Sequence, residues 1–137
     1  MSFTTNAILK PTLLQQFDRV TDLANHKLIT YSEDGALPAP NLNWLLNAAR
    51  EAIGNEPKVV LTLNNLYGMV RAVEAGIGIA GLPDFLARES RSLVRVLPEL
   101  EGPGNDAFFV YPEELRSSQR IGVFRDFLVG KVAETRF

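Results

Sequence analysis

The sequence predicts an α/β fold in which a mainly parallel sheet is flanked by helices. Three observations lead there. Segments with apolar residues at helical spacing alternate with short apolar, β-branched runs, and strands separated by helices pair in parallel. One run, Val59-Val60-Leu61-Thr62-Leu63, is apolar almost throughout, the pattern of a strand buried on both faces. The chain has 137 residues, 46% apolar and 22% charged, which suits one domain with a real core.

Taken in order, Pro11 to Asn25 holds Leu13, Leu14, Phe17 and Val20, a short helical pattern broken near Asp18. Leu28-Ile29-Thr30-Tyr31 reads as a strand, and Ser32 to Pro40, with Gly35, Pro38 and Pro40, as a loop. Asn41 to Ile53 places Leu42, Leu45, Leu46, Ala49 and Ile53 on one helical face, stopped by Gly54. After the strand at 59–63, Asn64 or Asn65 caps a helix with Leu66, Met69, Val70 and Val73 inward, and Gly76 fits its C-terminal stop. Ile77 to Leu82 reads as a strand of small residues, and Pro83-Asp84 opens a short helix through Arg88. Leu93 to Leu97 and Ala107 to Tyr111 read as two more strands, with a loop from Glu101 to Asp106 between them. Ser118 caps a last helix with apolar residues at Ile121, Phe124, Phe127, Leu128 and Val132.

Composition excludes several functions. Lys plus Arg is 14 and Asp plus Glu is 16, so the formal charge is −2, and gripping DNA or anionic lipid by bulk charge is excluded. There is no cysteine, which removes disulfides, thiolate metal sites and thiol nucleophiles. A single histidine, His26, precludes any site needing two imidazoles. Met1 to Lys10 lacks a basic start and a long apolar run, and no later uncharged stretch approaches a membrane span, so the expected location is the cytoplasm.

Three motifs invite chemistry and have plainer readings. Gly76-Ile77-Gly78-Ile79-Ala80-Gly81 matches G-x-G-x-x-G, but these glycines follow a helix and lead into a strand, the reverse of the dinucleotide-binding order. Helix termination and close helix–strand packing account for them. No G-x-S-x-G accompanies His26, which reads as a surface or hydrogen-bonded residue ending a helical turn. Glu99, Glu101, Glu113 and Glu114 read as a solvated face; nothing selects a catalytic pair. Asn64-Asn65 differs, because it lies where a strand ends and a helix begins, the place where parallel α/β sheets bind ligands and where helix N–H groups favour an anion. One asparagine is needed as a cap; the other can face a cleft.

In their order and spacing, several stretches together resemble the effector-binding domain of LysR-type transcriptional regulators. They are Asp22-Leu23-Ala24-Asn25-His26, Leu28-Ile29-Thr30-Tyr31, Asn43-Trp44, Leu63-Asn64-Asn65 and Ala72 through Asp84, followed by Leu93 to Pro98, Phe109-Val110-Tyr111-Pro112 and Val123 to Leu128. The resemblance covers all but about the first ten residues. It implies a periplasmic-binding-protein-like type 2 fold: two α/β subdomains joined by crossover strands, with a small molecule bound between them. Residues 22 to about 106 are then the second subdomain. Residues 107–137 supply the return crossover strand and a helix of a first subdomain that is incomplete here, as in a C-terminal fragment.

The function so implied is sensing of a small, anionic effector by a regulator domain that lacks its DNA-binding domain. Asn64 and Asn65 carry over from the matched motif, and Tyr31, Ser32 and Leu63 line the same cleft. No cofactor, metal, membrane or direct nucleic-acid contact is expected. A homo-oligomer is expected through Ile121, Phe124, Leu128 and Val132. The alternatives are an oligomerisation module that binds no effector and, more remotely, a small α/β hydrolase.

Overall fold

A computed structural model describes residues 2–3, 5–9, 18–33 and 41–134. The strands are β1 (Ser2–Phe3), β2 (Thr5–Leu9), β3 (Lys27–Tyr31), β4 (Lys58–Leu63), β5 (Ala80–Pro83), β6 (Val94–Val96) and β7 (Asn105–Asp106). The helices are α1 (Trp44–Ile53), α2 (Leu66–Glu74), α3 (Asp84–Arg88) and α4 (Gln119–Glu134), with 3-10 turns at Val20–Asn25 and Glu113–Leu115. The expected positions Leu13, Leu14 and Phe17, and most of the 32–40 loop, lie outside the described residues.

The main sheet is mixed. β3 and β4 pair in parallel, and β2 runs antiparallel between β5 and β6. A parallel bridge from Leu28 to Ile79 joins the two halves, giving the order β4-β3-β5-β2-β6. Four of these strands share one direction and β2 opposes them. The expected mainly parallel sheet is therefore present, with one strand the sequence reading did not assign. That strand is central: Ile8 is buried and pairs with Ala80 on one side and Arg95 on the other.

Strand alternation sends adjacent residues to opposite faces, and the core is accordingly two layers. Leu28 and Ile79 pack with Leu23, Trp44, Leu45, Ala49, Val96 and Leu97 under α1. Ile29 and Ala80 pack with Ile8, Met69, Val70, Val73 and Leu82 under α2 and α3.

Helix ends follow their residues. Gly54 stops α1 at φ 72°, and its N–H bonds the Arg50 carbonyl at 2.9 Å. Gly76 sits at φ 75°; its N–H reaches Val73 O and that of Ile77 reaches Ala72 O, the paired bonds of a Schellman stop. The other two glycines of the G-x-G-x-x-G run are explained by packing. A Cβ on Gly78 would lie 2.4 Å from the Lys27 carbonyl oxygen, and one on Gly81 would lie 2.8 Å from Trp44 Nε1.

Two strand expectations are corrected. The run at 59–63 is not buried: among the described residues β4 pairs only with β3, as an edge strand, and Val59 and Val60 are 39% and 38% exposed. Ala107 to Tyr111 carries no strand pairing, and the short strand there is β7, two residues that pair with β1. Phe108 and Val110 are 80% and 83% exposed, so this aromatic run has strand-forming residues without a sheet beside it among the described residues.

Helix α4 forms where expected, with the Ser118 carbonyl accepting the Gly122 N–H at 3.0 Å. None of its residues is buried; Ile121, Leu128 and Val132 are half-buried and Phe124 is 50% exposed.

Candidate functional site

The five residues expected to line a ligand site come together at the carboxyl ends of β3 and β4. The parallel register sets Tyr31 beside Leu63, and the next N–H along β3, that of Ser32, bonds the Leu63 carbonyl at 2.8 Å. The Tyr31 hydroxyl then crosses to the neighbouring turn and donates to the Asn64 carbonyl at 2.6 Å. A threonine pair one step earlier, Thr30 Oγ1 to Thr62 Oγ1 at 3.1 Å, ties the same two strands.

The two asparagines divide the roles left open by their sequence. Asn65 is the cap: its backbone is extended, and Oδ1 accepts from the N–H groups of Tyr67 at 2.8 Å and Gly68 at 3.1 Å. The start of α2 therefore already has two of its unpaired donors satisfied, which lowers its capacity for an external anion. Asn64 is exposed at the strand-to-helix turn, and only its backbone carbonyl is used by Tyr31. Tyr31 and Ser32 are half-buried and Asn65 is exposed, so the cluster forms an open rim.

Sequence reasoning missed the residue that organises this rim. Asn43, buried just before α1, clasps the Tyr31 backbone: Oδ1 accepts from its N–H at 2.8 Å and Nδ2 donates to its carbonyl at 2.8 Å. Nδ2 also lies 3.2 Å from Glu33 Oε1, bringing a carboxylate to the edge of the set. An asparagine before a helix signals a cap by type. Here the side chain is drawn to β3 and makes no capping bond to α1.

Elsewhere, the structure gives the other motifs plain roles. His26 is buried at the end of the 3-10 turn, with its N–H on Leu23 O at 3.2 Å. Asp22 lies in the first turn of that element; the N–H groups of Asp18 and Arg19 donate to it and hold its carboxyl below the usual range. Glu99, Glu101, Glu113 and Glu114 are all exposed. Among the described residues, no group of three or more His, Cys, Asp or Glu is placed to hold a metal ion, and no helix is long and apolar enough to cross a membrane.

Comparison with known proteins adds a family and a fold. The family model described as "LysR substrate binding domain" matches residues 7–133. No curated protein matches the chain. Among solved structures, the effector domain of the transcriptional regulator AmpR of Pseudomonas aeruginosa is 19% identical, with a TM-score of 0.65 over 97% of this chain and 63% of that one. The regulatory domain of CrgA, a LysR-type transcriptional regulator from Neisseria meningitidis, is 23% identical, with a TM-score of 0.68 over 96% of this chain and 65% of that one. The full-length Vibrio cholerae virulence activator AphB is 20% identical, with a TM-score of 0.67 over 96% of this chain and 46% of that one. At these identities the likeness is one of fold. The chain spans less than two-thirds of the length of each of these three structures.

Proposed function

This chain belongs to the family of LysR substrate-binding domains, with the type 2 periplasmic-binding-protein-like fold, and from that premise we propose that it senses a small-molecule effector for a transcriptional regulator. The observation that carries the reading is the convergence of Tyr31, Ser32, Leu63, Asn64 and Asn65 at the carboxyl ends of adjacent parallel strands, where a helix begins. Open α/β sheets bind ligands at such an edge.

Within this reading, Thr5–Leu9 joins residues 22–106 in the second subdomain, because β2 is a strand of its sheet. Residues 107–137 belong with the first subdomain. The effector is a small anion seated on the β4–α2 side, against the amide of Asn64 and the positive end of α2. Glu33 repels it from the β3 side. The effector acts by closing a cleft and shifting the balance between two arrangements, which an oligomer transmits. The chain works in the cytoplasm and is not an enzyme. It does not itself read duplex DNA: its charge is −2, and no winged helix-turn-helix occurs among the described residues.

Isothermal titration with small carboxylates and aromatic acids tests this. A saturable heat with one acid, weakened by Asn64→Ala in a protein of unchanged melting temperature, supports the site. Binding that Asn64→Ala leaves intact places the effector elsewhere. Silence across both series favours an interaction module without an effector.

A further inference from the structure

At the amino ends of β3 and β4, away from the Tyr31 rim, residues 25–27 and 76–79 enclose a pocket of about 230 Å³. Lys27 and Tyr31 stand four residues apart along β3, so the pocket lies about 13 Å from the rim. One wall is the passage from the 3-10 turn into β3, where exposed Asn25 and Lys27 flank His26, which is only 9% exposed. The other wall is the segment between α2 and β5, where Ile77 is 41% exposed.

The charge at this end is one-sided. Lys27 lines the pocket, and the parallel register makes Lys58 its partner on β4, about 4.8 Å away across the sheet. Both lysines are exposed, and neither takes part in an ion pair among the described residues. Like charges set opposite each other on a sheet repel. Among the described residues, no Asp or Glu lines the pocket. The acids nearest in sequence are engaged elsewhere: Asp22 Oδ2 accepts from the N–H groups of Asp18 and Arg19, and Glu56 pairs with Arg50 at 3.0 Å. The carbonyl end of α2 borders the site, but its Ala72 and Val73 oxygens already accept from Ile77 and Gly76.

We propose that this pocket binds a small dianion of the phosphate type, held between the ammonium groups of Lys27 and Lys58, with His26 and Asn25 beside it. A dianion answers both lysines at once, and its oxygens can accept from ammonium, amide and imidazole donors alike. The pocket exceeds the space of several waters, at about 30 Å³ each, so a phosphate with a short organic chain fits as well as the free ion. The lysines are solvated, so the dissociation constant is in about the millimolar range and rises with salt. This site is separate from the effector rim and does not depend on that reading.

His26 is the only histidine, so its imidazole proton resonances report on the pocket in the whole chain. Titration with inorganic phosphate and, separately, with glycerol 3-phosphate should shift them to saturation. Acetate and chloride at matched pH and ionic strength should not. Tighter binding of the ester points to an organic phosphate as the ligand, and equal binding to the free ion; either supports the site. Lys27→Gln and Lys58→Gln should each raise the phosphate dissociation constant by about threefold or more, the share expected of one exposed charge pair, and the double variant should not saturate. Ile77→Glu sets a carboxylate at the pocket and should abolish the shift, which keeps the test sound if a lysine variant fails to fold. Asn64→Ala, at the other end of the sheet, should leave phosphate binding unchanged. The absence of a saturable shift overturns the proposal. So does a shift that the double lysine variant retains, one that acetate reproduces, or one that Asn64→Ala removes.

Discussion

The side-chain amide of Asn43 satisfies both backbone groups of Tyr31, accepting from its N–H and donating to its carbonyl at 2.8 Å each. Two and four residues earlier, β3 turns this same edge toward β5: the Ile29 N–H bonds Ile79 O, and Lys27 O accepts from the Ile79 N–H. Asn43 thus stands where the next residue of β5 would pair. It ends the β3–β5 ladder and leaves Tyr31 and Ser32 directed toward β4. Asn43→Ala leaves two backbone groups unpaired beside the core and should cost about 1–3 kcal/mol in urea unfolding. Asn43→Asp keeps the acceptor but removes the donor and sets a carboxylate beside Glu33, so it should be at least as damaging. A wild-type midpoint for both variants would mean the clasp has no structural weight.

The asparagine pair separates by role in the same way. Asn65→Ala removes the cap of α2 and should cost about 1 kcal/mol, while Asn65→Asp should hold or raise stability, because an acid at a helix N-terminus also meets the favourable end of the dipole. Asn64→Ala should change stability by less than about 0.5 kcal/mol, as for other exposed positions without a structural bond. Thermal melts of the three variants decide it, and equal losses at 64 and 65 would contradict the division.

What could be read from the residues was governed by local pattern. The amphipathic periods of 44–53 and 66–74 and the glycine stops at 54 and 76 are local, and each element appears within a few residues of its expected place. Strand context is not local. Val59 to Leu63 has the composition of a central strand, yet it lies at an edge because, among the described residues, no strand pairs with the side of β4 away from β3. Phe108 to Tyr111 has the composition of a strand, yet no strand among the described residues pairs with it. Thr5–Leu9 is short and unremarkable in composition, and it becomes central only because β5 and β6 close around it. At the site, strand ends and caps gave five residues. Asn43 was hidden because its partner lies twelve residues earlier, on another element.

The glycines should rank by what surrounds them. Gly78 has no room, since an added methyl meets the backbone carbonyl of Lys27 at 2.4 Å, and β3 itself would have to shift. Gly78→Ala should cost on the order of 3 kcal/mol, the upper range for overpacking. Gly81→Ala presses on the Trp44 indole, a side chain that can yield, and should cost about 1–2 kcal/mol. Trp44 is the only tryptophan, so its fluorescence should shift in Gly81→Ala. Gly54→Ala meets open space but keeps φ at 72°, so only backbone strain remains, about 1 kcal/mol. A different order of melting temperatures would show that the strands and α1 adjust more freely than their packing indicates.

Acid should act on a small network between α2 and the turn after α3. The Ser90 hydroxyl donates to Glu74 Oε1 at 2.6 Å, and Arg71 Nη1 donates to Oε2 at 2.7 Å. The serine first, and then the arginine, hold the Glu74 carboxyl below its ordinary 4.5. A carboxyl lowered in the folded state stabilises the fold at every pH above its unfolded value, and that contribution is lost as pH falls through the folded one. Stability from this group should therefore be flat above about pH 5 and decline in more acid solution. Ser90→Ala removes the larger contributor. The variant should be less stable than wild type at neutral pH, and the gap should narrow in acid as Glu74 protonates in both. Asp22, also held low, titrates alike in the two proteins and cancels from the comparison. Urea midpoints measured across this range give the test, with Glu74→Gln as the control that lacks the charge throughout. Wild-type and Ser90→Ala curves that stay parallel to the lowest pH would show that the serine bond does not favour the ionised carboxylate.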